Sequence, residues 1–430
     1  MKSNSPAFQP LLEHCLATPL FDTHDHTLAA NLKYTDPITM LIDWYLCTDL
    51  ASASSEQDLI TMQDTTIPWE ERWPVFESAW KRTRFTGYAQ CLRRSLQHFY
   101  GFAEPSLDAL RGIQDRLIDL SDPVLYEHIL DEAGIVVRLQ DINLDSRKIL
   151  TTGRLDLPPR SRWVISLPWC HRIQTYEDVA AKGRILNRNV TSLDEYLDVC
   201  RTLFEAYKRA GAVAFKDQSA YTRPLDYRNP TRAEAERVFN WILEDQRRSL
   251  AYPDGDGRIL SDYLFHEFMR MARDMDLPVQ IHTGHMGVLR NDIVKTNAIG
   301  LTSLIELHRD VRFDLFHANW PYSGEILYLA KNYPNVRIDF CWANIVDPIY
   351  CQALFQQALS SVPHGKIHAY GSDLNGNVDR AWAHAQMARE NVSIALANLV
   401  DMDYLSLADA KDVASAWLYG NAREWFGIGE

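Results

Sequence analysis

Short apolar runs without strict alternation recur along the chain. They are LFDTHDH ending at His26, IVVRLQD from Ile135, WVISLPW from Trp163, AVAFKD from Ala212, VQIHTG from Val279, RFDLFHA from Arg312, VRIDFCW from Val336 and IHAYGSD from Ile367. Consecutive apolar positions rich in β-branched and aromatic residues suit strands buried on both faces, as in a parallel sheet. The intervals between them run from 17 to 108 residues. A crossover between parallel strands needs at least roughly 10–12 residues and usually carries a helix, so every interval suffices. Tyr322 to Tyr333 shows how one is filled: Ile326, Leu327, Leu329 and Ala330 give the apolar face, and Pro334 ends the helix. Eight strands with intervening helices predict an α/β fold, a (β/α)8 TIM barrel. A doubly wound open sheet is the alternative.

Two intervals exceed one crossover. Residues 27–134 predict a large, mostly helical insertion after strand 1, rich in Trp (Trp44, Trp69, Trp73, Trp80) and Arg (Arg82, Arg84, Arg93, Arg94), with Trp80 to Tyr100 as one helix. Following the first strand, it would rise from the C-terminal barrel face, where active sites sit. It reads as a lid or as a packing appendage. Residues 218–278 end in a helix over Ser261 to Met275, and Ala381 to Ala397 and Ala408 to Trp425 read as closing helices. The expected organisation is one barrel over residues 1–430, with 27–134 as an insertion within it.

Composition narrows the function class. Lys+Arg 44 against Asp+Glu 57 gives a net charge of −13, which disfavours nucleic-acid and polybasic membrane partners. The seven cysteines are widely spaced without a C-x-x-C pair, so a reducing compartment is expected. Glu13 and His14 interrupt any apolar signal segment, and no run of eighteen apolar residues occurs. A cytoplasmic protein acting on a small molecule is the expectation.

The chemistry lies at the strand ends. His24, His26, His282 and His317 fall at or near the C-terminal ends of predicted strands, and Asp373 ends the last run. Alternate strand residues share a side, so His24 and His26 can grip one ion while Asp25 points away. A catalytic zinc needs nitrogen and oxygen ligands with one position left for water. His24, His26, His282 and Asp373 meet that demand around one divalent ion. Arg290 suits bidentate binding of a substrate carboxylate, or a loop salt bridge. Tyr221, Arg223 and Trp320 lie in loops on the same predicted face. His285 falls in the loop outside the ligand set, and the other histidines read as packing or surface residues.

The set FDTHDH, QIHTG, FHAN and YGSD resembles the amidohydrolase superfamily of metal-dependent barrels, and within it the amidohydrolase-2, nodulin-like branch. The resemblance runs from Phe21 to about Asn377, with PVQIHTGHMG and FHANWPYSGEILYLAKNYPNVRIDF most similar. It implies that His24 and His26 are the first-strand metal pair, His282 the fifth-strand ligand, and Asp373 a ligand and proton acceptor. His317 then binds a second metal or polarises the substrate. Lys216, ending the fourth strand in AVAFKDQSAY, stands where some members carry a carboxylated lysine bridging two metals. One zinc is favoured over two. The resemblance also implies a homo-oligomer.

Three reactions are compatible with this set. The first is hydrolysis of an amide, lactone or related acyl bond, in which Asp373 moves a proton and His317 or Lys216 stabilises charge on the carbonyl oxygen. The second is non-oxidative decarboxylation of an aromatic or unsaturated acid. The third is a uronate-isomerase-like reaction, suggested by the Trp/Arg-rich insertion and by QIHTGHMGVLRND. Leu374-Asn375 after Asp373 and the presence of His317 depart from the isomerase pattern. A catalytically silent metal-binding module is a different class, and intact residues at all these strand ends disfavour it.

Overall fold

All eight predicted strands form: β1 Leu20–Asp25, β2 Ile135–Gln140, β3 Ser161–Ser166, β4 Ala212–Asp217, β5 Val279–Ile281, β6 Phe313–Leu315, β7 Val336–Asp339 and β8 Ile367–His368. The computed structural model describes residues 3–26, 33–42, 45–143 and 145–429; Trp44 of the insertion lies outside them. The architecture is α/β, with eight parallel strands in a nearly closed barrel and a helical segment between β1 and β2. Each strand neighbours its successor in the chain. A doubly wound sheet would reverse its strand order, so that alternative is overturned. In β4 to β7 the register sets Lys216 opposite Gln280, Gln280 opposite Asp314 and Asp314 opposite Arg337.

The chain divides into two compact units. The first comprises residues 1–138, 286–291 and 339–422. Here the helix Phe8–Ala17 packs against the long helix Val378–Asp401. The buried Arg389 donates to the carbonyls of Cys15 (2.8 Å), Ala133 (2.7 Å) and Thr18 (3.1 Å). Gly134 makes room for this guanidinium: its φ is +70°, and a Cβ there would lie 2.6 Å from Arg389 Nη2. Arg389→Ala should lower stability by about 3 kcal/mol or more, because three carbonyls lose their donor at about 1–3 kcal/mol each. Chemical denaturation measures this.

The insertion's helices are Pro37–Leu41, Leu46–Ala53, Glu56–Gln63, Trp69–Thr83, Gly87–Tyr100, Leu107–Arg111 and Pro123–Ala133. Trp73, Phe76 and Trp80 pack on one another at centroid distances of 5.6 and 5.9 Å. Arg94 is spent on a bidentate pair with Glu390 (2.7 and 2.8 Å), and Arg93 pairs with Glu104. The single helix expected over Trp80 to Tyr100 is broken between Thr83 and Gly87. Thr86 caps the second piece by accepting from Ala89 N. Gly87 then packs so closely that a Cβ would lie 2.1 Å from the Ile345 carbonyl oxygen.

The second unit comprises residues 139–285, 292–338 and 423–430. Its core forms where the helix Leu193–Arg209 lays Phe204 between Phe215 of β4 and Phe268 of the helix Gly255–Asp274, at 5.1 and 5.2 Å. That second helix covers the predicted segment from Ser261 as far as Asp274, one residue short of Met275, and begins six residues earlier. Among the described residues, no helix is long and apolar enough to cross a membrane.

Candidate metal centre

The first unit assembles three of the predicted ligands. His24 lies in β1 and His26 one residue past it, and their Nε2 atoms are 3.1 Å apart with the rings edge to face. Asp373 Oδ1 stands 3.4 Å from His24 Nε2 and 3.3 Å from His26 Nε2. A tetrahedral ion with bonds of 2.0–2.1 Å places its ligand atoms about 3.3 Å apart. The triangle therefore fits three ligands of one such ion. Asp25 points to the other side, as strand alternation requires, into a buried ion pair with Arg138.

Hydrogen bonds fix the two chain segments that carry this triangle. Asp373 N donates to the His24 carbonyl (2.8 Å) and His26 N to the Leu374 carbonyl (3.1 Å). Beneath them the buried Asp22 carboxylate accepts from Ser372 N (2.8 Å), Ser372 Oγ (2.6 Å) and His24 N (3.3 Å). Burial, and then the neighbouring Asp25 charge, push the Asp22 carboxyl up to about 8, against the pull of Arg138 and Ser372. Asp373 itself sits at φ +49°.

The second unit holds Lys216, His282 and His317, all buried. His282 Nε2 donates to the His285 carbonyl at 2.7 Å. A carbonyl only accepts, so the neutral ring carries its proton on Nε2 and keeps the lone pair on Nδ1. That Nδ1 faces His317 Nε2 at 3.0 Å. Burial first, and then the Lys216 charge, hold His282 well below the usual histidine range. It remains neutral, as a metal ligand must be. Lys216 Nζ lies 3.9 Å from the Phe316 ring centroid, and the side chain is buried rather than exposed.

His317 is presented by a left-handed turn: His317, Ala318 and Asn319 have φ of +63°, +48° and +53°. Non-glycine residues rarely adopt this region. Thr283 Oγ1 holds the preceding Phe316 carbonyl (2.7 Å), and Asn319 Oδ1 accepts from Ala298 N (2.8 Å). Gly284 is required beside this turn, since a Cβ would lie 2.5 Å from the Trp320 carbonyl oxygen.

The remaining predicted residues separate by environment. Tyr221 is 43% exposed and sets its ring against His282 at 4.8 Å. Trp320 packs edge to face on His285 at 5.2 Å. Arg290 pairs with Glu56 of the insertion at 2.7 Å, with its own side chain 81% exposed. Arg223, expected in a substrate-facing loop, is wholly buried instead. Its guanidinium pairs with Asp262 at 2.5 Å and lies over the Tyr227 ring, which makes it a brace for the loop after β4.

Sequence reasoning missed the buried cluster around Asp217. Its carboxylate accepts from Ser219 Oγ (2.6 Å) and Tyr227 OH (2.6 Å) and lies 3.2 Å from His171 Nε2. Burial alone would raise this carboxyl, but these partners, His171 foremost, hold it below the usual range. The Asp217 carbonyl in turn accepts from His282 N (2.9 Å), tying the ends of β4 and β5 together. The polar residue next to Lys216 was the available signal.

The C-terminal residues 244–428 match the amidohydrolase family. Protein fluG of Emericella nidulans is 23% identical over 256 residues, covering 54% of this chain. The match covers 29% of that relative's own length. Among solved structures, glucuronate isomerase from Caulobacter crescentus is similar over 100% of this chain and 96% of its own, with TM-score 0.77 at 19% identity. Uronate isomerase from Thermotoga maritima covers 98% of both chains, with TM-score 0.77 at 15% identity. A proposed metal-dependent hydrolase from Lactobacillus casei covers 97% of both, with TM-score 0.64 at 18% identity. At these identities the structural likeness is one of fold. Residues 244–428, which carry the later strands of a barrel with His and Asp residues at its strand ends, are thus similar to the amidohydrolase family.

Proposed function

We propose that the protein is a metal-dependent hydrolase cleaving an amide, lactone or related acyl bond of a small, carboxylate-bearing substrate. The observation that carries this reading is the triangle of His24, His26 and Asp373 with edges of 3.1 to 3.4 Å. His282, just past β5, is kept neutral by burial, the state a metal ligand requires, with its Nδ1 facing His317 at 3.0 Å. A divalent ion so held, zinc foremost, supplies Lewis acidity and makes water a nucleophile near neutral pH.

The chain's own groups then have distinct tasks. Asp373 takes the proton of the attacking water as its oxygen bonds the acyl carbon, and returns it to the departing nitrogen or oxygen as that bond breaks. His317 and Lys216 stabilise the charge that develops on the carbonyl oxygen. Tyr221 and Trp320 line the substrate's approach, and Arg290 binds its carboxylate after exchanging Glu56 for it. The insertion serves as a lid.

A uronate isomerase reaction is the second reading. It is favoured by the likeness over the whole chain, helical segment included, to two uronate isomerases. The test presents the zinc-loaded protein with amides, lactones, aromatic acids and hexuronates. Release of an amine or a ring-opened acid without carbon dioxide is the expected result. Conversion of an aldouronate to a ketouronate, or carbon dioxide release from an aromatic acid, would overturn it.

A further inference from the structure

We infer that Tyr45, which precedes the insertion helix Leu46–Ala53, is a positioning residue for Asp373. The inference rests on the reading of Asp373 as a metal ligand and deepens it, because it assigns the insertion a part in that site. Asp373 adopts a left-handed backbone conformation that persists only where its surroundings over-determine it. Several restraints come from the barrel strands and the loops that follow them. The Asp373 N–H donates to the His24 carbonyl, and the preceding Ser372 is held twice by Asp22. Gly371 is so tightly enclosed that a Cβ would lie 2.6 Å from Thr23 Oγ1 and 2.7 Å from Cys341 Sγ. The Asp373 carbonyl is held from the insertion, by a hydrogen bond from the Tyr45 hydroxyl.

The Tyr45 ring is itself immobilised. It stacks on Tyr88 of the helix Gly87–Tyr100 at 5.6 Å and lies 4.5 Å from the Trp342 ring. Gly287 closes its edge, where a Cβ would lie 3.1 Å from Tyr45 Cε1. Trp342 is pinned in turn by its N–H to the Gly371 carbonyl at 2.8 Å. Two insertion helices and two loops thus converge on one hydroxyl, and that hydroxyl fixes the peptide plane following the Asp373 Cα. Without it, Asp373 relaxes from its left-handed conformation and its carboxylate turns away from the two imidazoles.

The experiment measures zinc affinity of the full chain by competition with a chromophoric chelator, together with the melting temperature of the metal-free protein. Tyr45→Phe keeps the aromatic stack and deletes one hydrogen bond, so affinity should fall about fivefold while the metal-free protein stays folded, with its melting temperature lowered by only a few degrees. Tyr88→Phe should leave affinity as in the parent. In an Asp373→Ala background, Tyr45→Phe should have no further effect, as expected of a group acting through Asp373. Parental affinity in Tyr45→Phe, or an equal loss in the Asp373→Ala background, overturns this inference alone. Failure of the parent protein to bind zinc overturns the metal reading and this inference with it.

Discussion

Asp373→Asn should retain its metal and lose turnover by a factor of about 10²–10⁴. The amide oxygen can occupy the place of Oδ1, 3.4 and 3.3 Å from the two imidazole nitrogens. The amide cannot accept the proton of the attacking water. Elemental analysis should therefore give parental metal content alongside a collapsed kcat, whereas Asp373→Ala removes both the ligand and the base. A fully active Asn variant would remove Asp373 from the proton path.

The second large effect is on stability. An ion that binds only the folded state stabilises it by about 2.7 kcal/mol at a free concentration one hundred times its Kd. Calorimetry with and without zinc should show that shift in the parent protein. It should vanish in His26→Ala. His26 is the suitable position because its side chain is 36% exposed, so its removal leaves the metal-free fold little changed. His24, with a side chain 1% exposed, would confound lost ligation with a cavity. An undiminished zinc response in His26→Ala would exclude the triangle as the binding site.

The strands were legible because burial on both faces demands continuous apolar runs, and all eight appear where the runs lie. The His24/His26 pair was legible for the same reason: strand alternation is rigid, and Asp25 turns to Arg138 as it predicts. Helix ends were harder. The break at Thr86-Gly87 depends on the close approach of the Ile345 carbonyl, a contact between distant parts of the chain, although a Thr–Gly pair is itself a helix-start signal. The closing segment expected over Ala408 to Trp425 is interrupted by a π-helical turn at Ala416–Gly420, which no periodicity announces. Arg223 resembled a substrate contact because sequence places a loop but does not show which way its side chains face. The Asp217 cluster shows locally only as a polar residue beside Lys216, and Tyr45 carries no local pattern; each takes its meaning from partners brought in by the fold.

The hydrogen bonds under the triangle also set a time order for the chain. Asp22 and its partner Ser372 are separated by 350 residues, and Tyr45 and Asp373 by 328. At about 5–20 residues per second, a ribosome takes roughly 20–70 s to travel from one side of the clamp to the other. Throughout that interval His24 and His26 are exposed as a bare two-histidine pair without their carboxylate. On the proposed metal reading, capture by the finished triangle is then a late event in biogenesis, and a nascent chain halted before Ser372 should emerge without the ion.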